Sequence, residues 1–280
     1  YRLLPKDKAA EVFVELDPDV QEKLIHAFTD KELKGVIDEL FMDDTVDLIE
    51  EMPSNVVKRI IKSIKPENRK VINELLQFPE DSAGSIMTTE FAELKEYMTV
   101  DEAFKIIKET GIKKETVYIC YVVGNSRKLL GTVAIRDLLI SERDVKISEI
   151  LNDNVISVLT TEDKENVAKM FDKYNFMALP VVDKENRLVG IVTIDDAIDV
   201  MQEETTEDFE KMAAMLPAEE SYFKTGVFTH AKNRIMWLLV LLLSSTFTGM
   251  IIEKYESAIA AIPLLVAFIP TIMGTGGNCG

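Results

Sequence analysis

The sequence predicts a multidomain protein: an all-α helical superhelix, then an α/β pair of duplicated units, then a connecting helix and two α-helical transmembrane segments. Three observations carry this prediction. Helix-start residues recur at short intervals through residues 1–80, the chain repeats itself at an offset of 59 residues after Met87, and an acidic protein becomes almost wholly apolar from Ile235 onwards. Each part follows from its own pattern.

Residues 1–80 read as an array of short helices. Each segment is about a dozen residues long and carries apolar side chains at three- and four-residue spacing, as in Val56, Ile60 and Ile64. Helices this short are unstable alone, so they are expected to stack as an α-solenoid-like domain. The segments open at Pro5, Asp17-Pro18, Thr29-Asp30, Met42-Asp43, Pro53 and Lys65-Pro66.

Residues 81–150 and 151–206 form a tandem duplication. Val122-Val123 matches Val181-Val182, Gly131 matches Gly190, and Asp137 matches Asp196. Each copy shows the order helix, strand, turn, strand, helix, which predicts paired strands covered by helices. In the first copy these are Val100 to Glu109, Val117 to Val123, a turn at Gly124-Asn125, Leu130 to Ile135, and Asp137 to Ser141.

The final part divides into a connecting segment, residues 207–235, and a membrane part, residues 236–280, that contacts lipid. Ile235 to Ile252 and Ala258 to Met273 are nearly all apolar, which predicts a membrane hairpin. Lys224, Lys232 and Arg234 precede it without an acid nearby, so the positive-inside rule places residues 1–235 in the cytoplasm. We expect a multi-pass protein of the cell (inner or plasma) membrane whose membrane domain is incomplete here.

The charge balance restricts the partners. The formal net charge is −17, nearly all of it before residue 235, which argues against nucleic acid and favours either plain solubility or cations as counter-ions. Two cysteines, Cys120 and Cys279, give no disulfide framework. With no paired base and nucleophile and no phosphate-binding loop, the sequence predicts that the chain is not an enzyme.

Several motifs resemble known families. Leu130-Gly-Thr-Val-Ala-Ile-Arg-Asp-Leu138 and Leu188-Val-Gly-Ile-Val-Thr-Ile-Asp-Asp-Ala197 look like the closing strand and helix of paired CBS domains. Together with Leu4 to Glu11, the linker Glu80 to Thr88 and the ending Gly274 to Gly280, their order resembles the MgtE family of magnesium channels and transporters. The resemblance implies a homodimer whose cytosolic part senses Mg²⁺ and closes the pore when intracellular Mg²⁺ is high.

Physical chemistry supports a cation sensor beside that resemblance. Mg²⁺ takes oxygen ligands, keeps several waters and is held by one or two carboxylates, so facing acids across a domain gap suffice. A cation between two acidic walls favours the closed state. The candidate metal ligands are Asp43, Asp47, Glu185, Asp195, Glu11, Asp183 and Glu219, with Asp196 also in the acidic set. The structural alternative is that Asp43 caps a helix, Asp183 and Glu185 occupy an ordinary turn, and Asp195 opens a helix.

A second ligand is an adenine nucleotide such as ATP. Thr193 and Asp196 have the spacing with which similar CBS pairs hold a ribose, whereas the first copy has Ala134 and Asp137. The alternative is a strand threonine with its hydroxyl turned to solvent. An adenine-nucleotide-sensing CBS regulator of another membrane transport protein is therefore the alternative function.

The resemblance also assigns roles at the end of the chain. Glu219 to Trp237 is amphipathic and, by resemblance, a plug helix at the pore mouth, although an interfacial lead-in would look the same. Proline and glycine in the second apolar segment suit a broken helix that lines a pore, or close helix packing. The candidate pore residues are Pro270, Gly276, Gly277 and Asn278.

Overall fold

The structure is a computed structural model that describes residues 4–212, 226–255, 268, 270–272 and 274–276. The chain forms two compact units, Tyr1–Glu203 and Glu204–Gly280. Glu219, Gly277 and Asn278, together with residues 219–225 at the start of the predicted plug segment, lie outside the described residues.

Six short helices form the start of the first unit, as the sequence predicts. Thr29 and Glu32 form a reciprocal capping box, and two other helices begin with proline, whose missing N–H costs nothing in the first turn. The helices are α1 Lys6–Val14, α2 Pro18–Ala27, α3 Asp30–Ile37, α4 Met42–Glu51, α5 Ser54–Ser63 and α6 Pro66–Leu75. Because α1 packs on α3, α3 on α5 and α4 on α6, the helices stack as an array.

Each duplicated copy contains a three-stranded sheet. The middle strand pairs antiparallel with the last strand and parallel with the first. The first sheet is β1 Phe91–Lys95, β2 Thr116–Val123 and β3 Leu129–Ala134; the second is β4 Val158–Leu159, β5 Ala178–Val182 and β6 Leu188–Thr193. The sequence predicted two strands per copy. It missed β1 and β4 because five and two residues are too short to show a clear alternation.

Helices complete both copies. They are α7 Val100–Thr110, α8 Ile135–Ile140 and α9 Ile147–Ile150 in the first, and α10 Lys164–Tyr174 and the start of α11 Ile194–Met212 in the second. One buried cluster joins Ile60 and Ile72 of the helical array to Phe171 and Leu179 of the second copy. In this structure the helical domain and the second copy therefore pack against each other through one buried cluster.

The two copies exchange short segments. Thr88, in the segment before β1 of the first copy, pairs with Ile191 of β6, and Asn152, in the segment before β4 of the second copy, pairs with Thr132 of β3. This close approach explains the repeated glycines. A Cβ at Gly131 would lie 2.6 Å from the carbonyl oxygen of Asn152, and one at Gly190 would lie 2.7 Å from that of Thr88.

Two helices extend past the predicted boundaries. The sequence-based boundary at 206/207 falls within α11, which runs on to Met212, and the boundary at 235/236 falls within α12 Val227–Lys254. Among the described residues, α12 is one helix of 28 residues that contains an 18-residue stretch with mean hydropathy 2.2, long and apolar enough to cross a membrane. The second predicted span is described only in part, and Pro270 and Gly276 are helical there.

Candidate metal centre

An acidic cleft opens between the helical domain and the second copy. Its volume is about 550 Å³, and α4 forms one wall and α11 the other. We name it the acidic cleft. Among the described residues its lining contains nine carboxyl groups and one lysine: Asp43, Asp44, Asp47, Glu50, Glu51, Glu80, Asp196, Asp199, Glu203 and Lys164.

Helical spacing builds both walls. On α4, Asp43, Asp47 and Glu50 follow each other at intervals of four and three residues, so they share one face. Val46 and Ile49, next to that face, are buried in the shared core and anchor α4 beside the cleft. The N-cap of α4 is Phe41 rather than Asp43, so the capping alternative for Asp43 is wrong.

The opposite wall follows the same rule. Asp196, Asp199 and Glu203 lie at intervals of three and four residues on α11. The hydroxyl of buried Thr193 donates a hydrogen bond of 2.6 Å to Oδ2 of Asp196, which orients that carboxylate. The two residues predicted to hold a ribose therefore bond to each other, and Asp196 lines a cleft full of negative charge.

Two buried oxygens in this cleft lack a hydrogen-bond donor from the described residues. They are Oδ1 of Asp43, whose residue is 7% exposed, and Oε1 of Gln21, whose residue is 5% exposed. Both residues line the cleft. Leaving buried acceptors without a donor costs free energy, so the site is suited to a cation or to its bound water.

The carboxylates are crowded enough to shift their ionisation. Burial, followed by the charge of Asp44, raises the pKa of Asp43 to about 7. Burial and then Asp43 raise the pKa of Asp196 to about 7. Desolvation, followed by the charge of Asp196, raises the pKa of Asp47 to about 8. The side chain of Asp47 is nevertheless exposed to water at the cleft surface, although protein atoms surround it on several sides. In all three cases burial and neighbouring carboxylates disfavour the charged form in this arrangement of the cleft.

Two further acids approach this region from the first copy and its linker. Burial, followed by the charges of Asp43 and Asp44, raises the pKa of Glu115 to about 8. Its Oε2 is also buried without a donor. Oε2 of Glu90 accepts a hydrogen bond of 2.9 Å from the backbone N–H of Met42, at the start of α4. The acidic region thus draws on the helical domain and both copies.

The donor set fits a hydrated hard cation. In the described part of the chain, no three His, Cys, Asp or Glu side chains converge into a ready-made metal cage. Mg²⁺ does not require one, because it keeps several waters and is usually bound through one or two carboxylates. Oxygen ligands on two opposed walls match that chemistry.

The remaining predicted ligands lie elsewhere. Asp195 is exposed in the first turn of α11, where its charge raises the pKa of Asp196 after the effects of burial and Asp43. Glu11 lies on α1, with Oε2 2.6 Å from the ammonium of Lys8. Asp183 and Glu185 lie in the turn between β5 and β6. Oδ1 of Asp183 accepts hydrogen bonds of 2.9 Å from the backbone N–H groups of Glu185 and Arg187.

That turn borders a second cavity of about 720 Å³, which we name the hairpin cavity. Its charged lining is balanced: two acids, Glu74 and Asp183, face two bases, Arg127 and Arg187. The guanidinium of Arg187 lies 2.5 Å from Glu185, and that of Arg127 lies 3.6 Å from Glu93. The predicted ligands Asp183 and Glu185 therefore already have partners within the chain.

Sequence reasoning missed most of the cleft. Asp44 directly follows Asp43 in the sequence, and Glu50, Glu51, Asp199 and Glu203 could have been found by extending the helical spacing from Asp47 and Asp196 by one or two turns. Glu80, Glu90, Glu115 and Lys164 lie on other elements, and only tertiary packing brings them to the site.

The fold and cleft define a class of protein: a helical domain joined to a CBS-domain pair, with an acidic cleft between them. A family model described as MgtE intracellular N domain matches residues 1–81, and the CBS domain matches residues 83–143 and 147–203.

Characterised transporters are similar to this chain in sequence. The magnesium transporter MgtE of Thermus thermophilus is 36% identical over 281 residues, covering 99% of this chain and 62% of that protein. The magnesium transporter MgtE of Bacillus subtilis is 32% identical over 277 residues, covering 99% of this chain and 61% of that protein. The chain thus spans about three fifths of the length of these relatives. They are named as transporters, not enzymes, in agreement with the sequence-based prediction.

Solved structures extend the comparison. The cytosolic domain of the Mg²⁺ channel MgtE in complex with ATP is 37% identical with a TM-score of 0.67, covering 71% of this chain and 81% of that one. The soluble part of a magnesium transporter is 33% identical with a TM-score of 0.68, covering 73% of this chain and 80% of that one. The chain belongs to the MgtE family.

Proposed function

We propose that this chain is the Mg²⁺-sensing and gating region of a magnesium channel or transporter, which closes the pore when intracellular Mg²⁺ is high. One observation carries the proposal. Oδ1 of buried Asp43 accepts no hydrogen bond from the described residues, and it lies in a cleft between two domains that nine carboxyl groups line. Asp43, Asp47 and Asp196 are its central ligands, acting directly or through bound water.

The switch follows from electrostatics. Without metal, ionised carboxylates on α4 and α11 repel each other and favour an open cleft. A divalent cation between them removes that repulsion and binds the closed state more tightly, because both walls contribute only when they approach. To reverse a 1:99 ratio of closed to open protein, Mg²⁺ must bind the closed state about 10⁴-fold more tightly than the open state. A site whose ligands come together only on closure can supply that difference.

The route to the membrane begins at α11. This helix carries three cleft carboxylates and continues to Met212, in the direction of the chain that leads to the apolar helix α12. In our proposal residues 1–235 are cytoplasmic, the protein is a homodimer, and Mg²⁺ is both the regulator and the transported ion. Glu219 is a further ligand, and Pro270, Gly276, Gly277 and Asn278 line the pore.

Limited proteolysis tests the proposal on the full 280-residue chain in detergent. Chymotrypsin cleavage of the first unit is followed while Mg²⁺ rises through the millimolar range. We expect Mg²⁺ to slow cleavage, and the Asp43→Asn, Asp47→Asn double variant to lose that protection. Lys169→Gln, a charge change on the exposed face of α10, serves as the control. Equal cleavage rates with and without Mg²⁺ in the unmodified chain would contradict the proposal.

A second proposal is that the CBS pair binds an adenine nucleotide at Thr193 and Asp196. Their side chains lie together, and one solved relative, the cytosolic domain of the Mg²⁺ channel MgtE, is a complex with ATP. Calorimetry with ATP should show binding that Thr193→Ala abolishes and Thr193→Ser, which keeps the hydroxyl, preserves. Unchanged ATP affinity in Thr193→Ala would exclude this position.

A further inference from the structure

Lys164 is a basic side chain inside the acidic cleft. Its ammonium lies 3.4 Å from Oδ1 of Asp81 and 3.5 Å from Oε2 of Glu203, and its side chain is only 18% exposed. Asp81 follows the helical domain, and Glu203 belongs to α11. One lysine thus connects the linker after the helical domain to a wall of the cleft.

Helix stability does not explain this residue. Lys164 is the first residue of α10, where the positive end of the helix dipole disfavours a cation. Asp163 already caps the helix by accepting hydrogen bonds from the backbone N–H groups of Glu165 and Asn166. The charge of Lys164 is compensated by its two carboxylate partners. Although burial lowers the pKa of Lys164, the charges of Glu203 and Asp81 raise it above its ordinary value, so the ammonium stays charged.

We propose that Lys164 is a tethered cation that occupies one end of the acidic cleft. It neutralises Asp81 and Glu203, holds the linker against α11 without any metal, and confines divalent cations to the end formed by Asp43, Asp47 and Asp196. Lys164 thus limits the number of divalent cations that the acidic cleft binds. This inference rests on the proposed function for the role of the other end.

The contacts around Lys164 support a fixed position for its ammonium. Its own backbone N–H donates to the carbonyl of Asp81 at 3.1 Å, and the neighbouring backbone N–H of Ala83 donates to the carbonyl of Glu162 at 2.7 Å. The lysine therefore projects from a backbone that is bonded to the linker. Its ammonium also reduces the effect of burial and Glu80 on the pKa of Glu50, which lines the same cleft.

Calorimetric titration with Mg²⁺ tests this on the full chain in detergent. Lys164→Gln should bind one more Mg²⁺ than the unmodified chain, because two carboxylates lose their counter-ion. Its chymotrypsin cleavage without Mg²⁺ should be about fivefold faster, since the linker is released from α11. Lys164→Arg keeps the charge and should keep the original stoichiometry, as should Lys169→Gln on the exposed face of the same helix.

The outcomes separate this inference from the proposed function. An unchanged stoichiometry in Lys164→Gln would overturn the role of Lys164, while Mg²⁺ binding that depends on Asp43 and Asp47 would still stand. An added ion in Lys164→Gln, in a chain whose unmodified form binds none, would support the tethered cation and contradict the sensor. An extra ion in Lys164→Arg would overturn the inference, since the charge would then not be what excludes it.

Discussion

The acidic cleft and the hairpin cavity are both lined by the helical domain and the second CBS copy, yet their charges differ. The cleft holds nine carboxyl groups against one lysine, whereas the hairpin cavity holds two acids and two arginines. In the cleft the pKa of Asp43 is raised, while in the hairpin cavity the backbone N–H of Arg187 leads the effects that lower the pKa of Asp183. An acidic residue at a domain edge is therefore not enough; what matters is whether its charge is already compensated.

The largest expected effect comes from removing one acid from each wall of the cleft. Asp47→Asn with Asp199→Asn should raise the Mg²⁺ midpoint for protease protection at least about tenfold, equivalent to ~1.4 kcal/mol of binding free energy. The matched pair Asp183→Asn with Glu185→Gln should change it less than about twofold, because those groups already have partners in the turn. Similar Mg²⁺ midpoints for the two double variants would contradict the claim that the cleft acids bind Mg²⁺ and the hairpin-cavity acids do not.

A smaller effect should come from pH in the absence of Mg²⁺. Cleft carboxylates with a raised pKa bind more protons when the cleft is closed than when it is open. The closed state should therefore gain stability as pH falls from about 8 toward the ordinary carboxyl pKa of 3.8. We expect chymotrypsin cleavage at pH 5.5 to be about fivefold slower than at pH 8, after correction with an unfolded substrate.

The hairpin cavity should not respond to pH over this range. The pKa of Asp183 is lowered, so its stabilising contribution is present above 3.8 and is lost only as pH falls through its lower value in the folded protein. Local hydrogen exchange at the turn between β5 and β6 should thus stay constant between pH 8 and pH 5.5, once the intrinsic exchange rate is removed. A change there that matches the cleft would show that the two cavities are not distinct.

The smallest effect should follow from giving the hairpin cavity an acidic excess. Arg127→Gln with Arg187→Gln removes both bases and leaves Glu74 and Asp183 unbalanced. We expect a new, weak Mg²⁺ effect on exchange at this turn, no more than two- to threefold, because these groups are exposed and screened. Calorimetry should show no change in the affinity of the cleft itself.

Much of the fold could be predicted from the sequence because its signals are local. Proline and capping residues marked the six helices, and the 59-residue repeat revealed both copies. The missed strands β1 and β4 are too short for periodicity. The segment exchange through Thr88 and Asn152 depends on contacts between copies that no local pattern encodes.

The site was less accessible to sequence reasoning. Asp43 and Asp47 were predicted to share a helix face, and the structure places both on the cleft wall. Asp183 and Glu185 look equally acidic in sequence, but the fold supplies Arg187 and two backbone N–H groups as partners. For Asp183 and Glu185 this compensation is local to one turn, whereas the crowding of the cleft acids on α4 and α11 arises only from tertiary packing.

The distance between the helical domain and the second copy in solution tests the central claim most directly. Spin labels are attached at Lys31→Cys in α3 and Lys173→Cys in α10, in a chain that carries Cys279→Ser and keeps the buried Cys120. Pulsed electron paramagnetic resonance then measures the distance between the two labels. We predict a broad, longer distribution without Mg²⁺ and a narrow, shorter one at millimolar Mg²⁺, with no narrowing in the Asp43→Asn, Asp47→Asn variant. Identical distributions with and without Mg²⁺ in the otherwise unmodified chain would contradict the account.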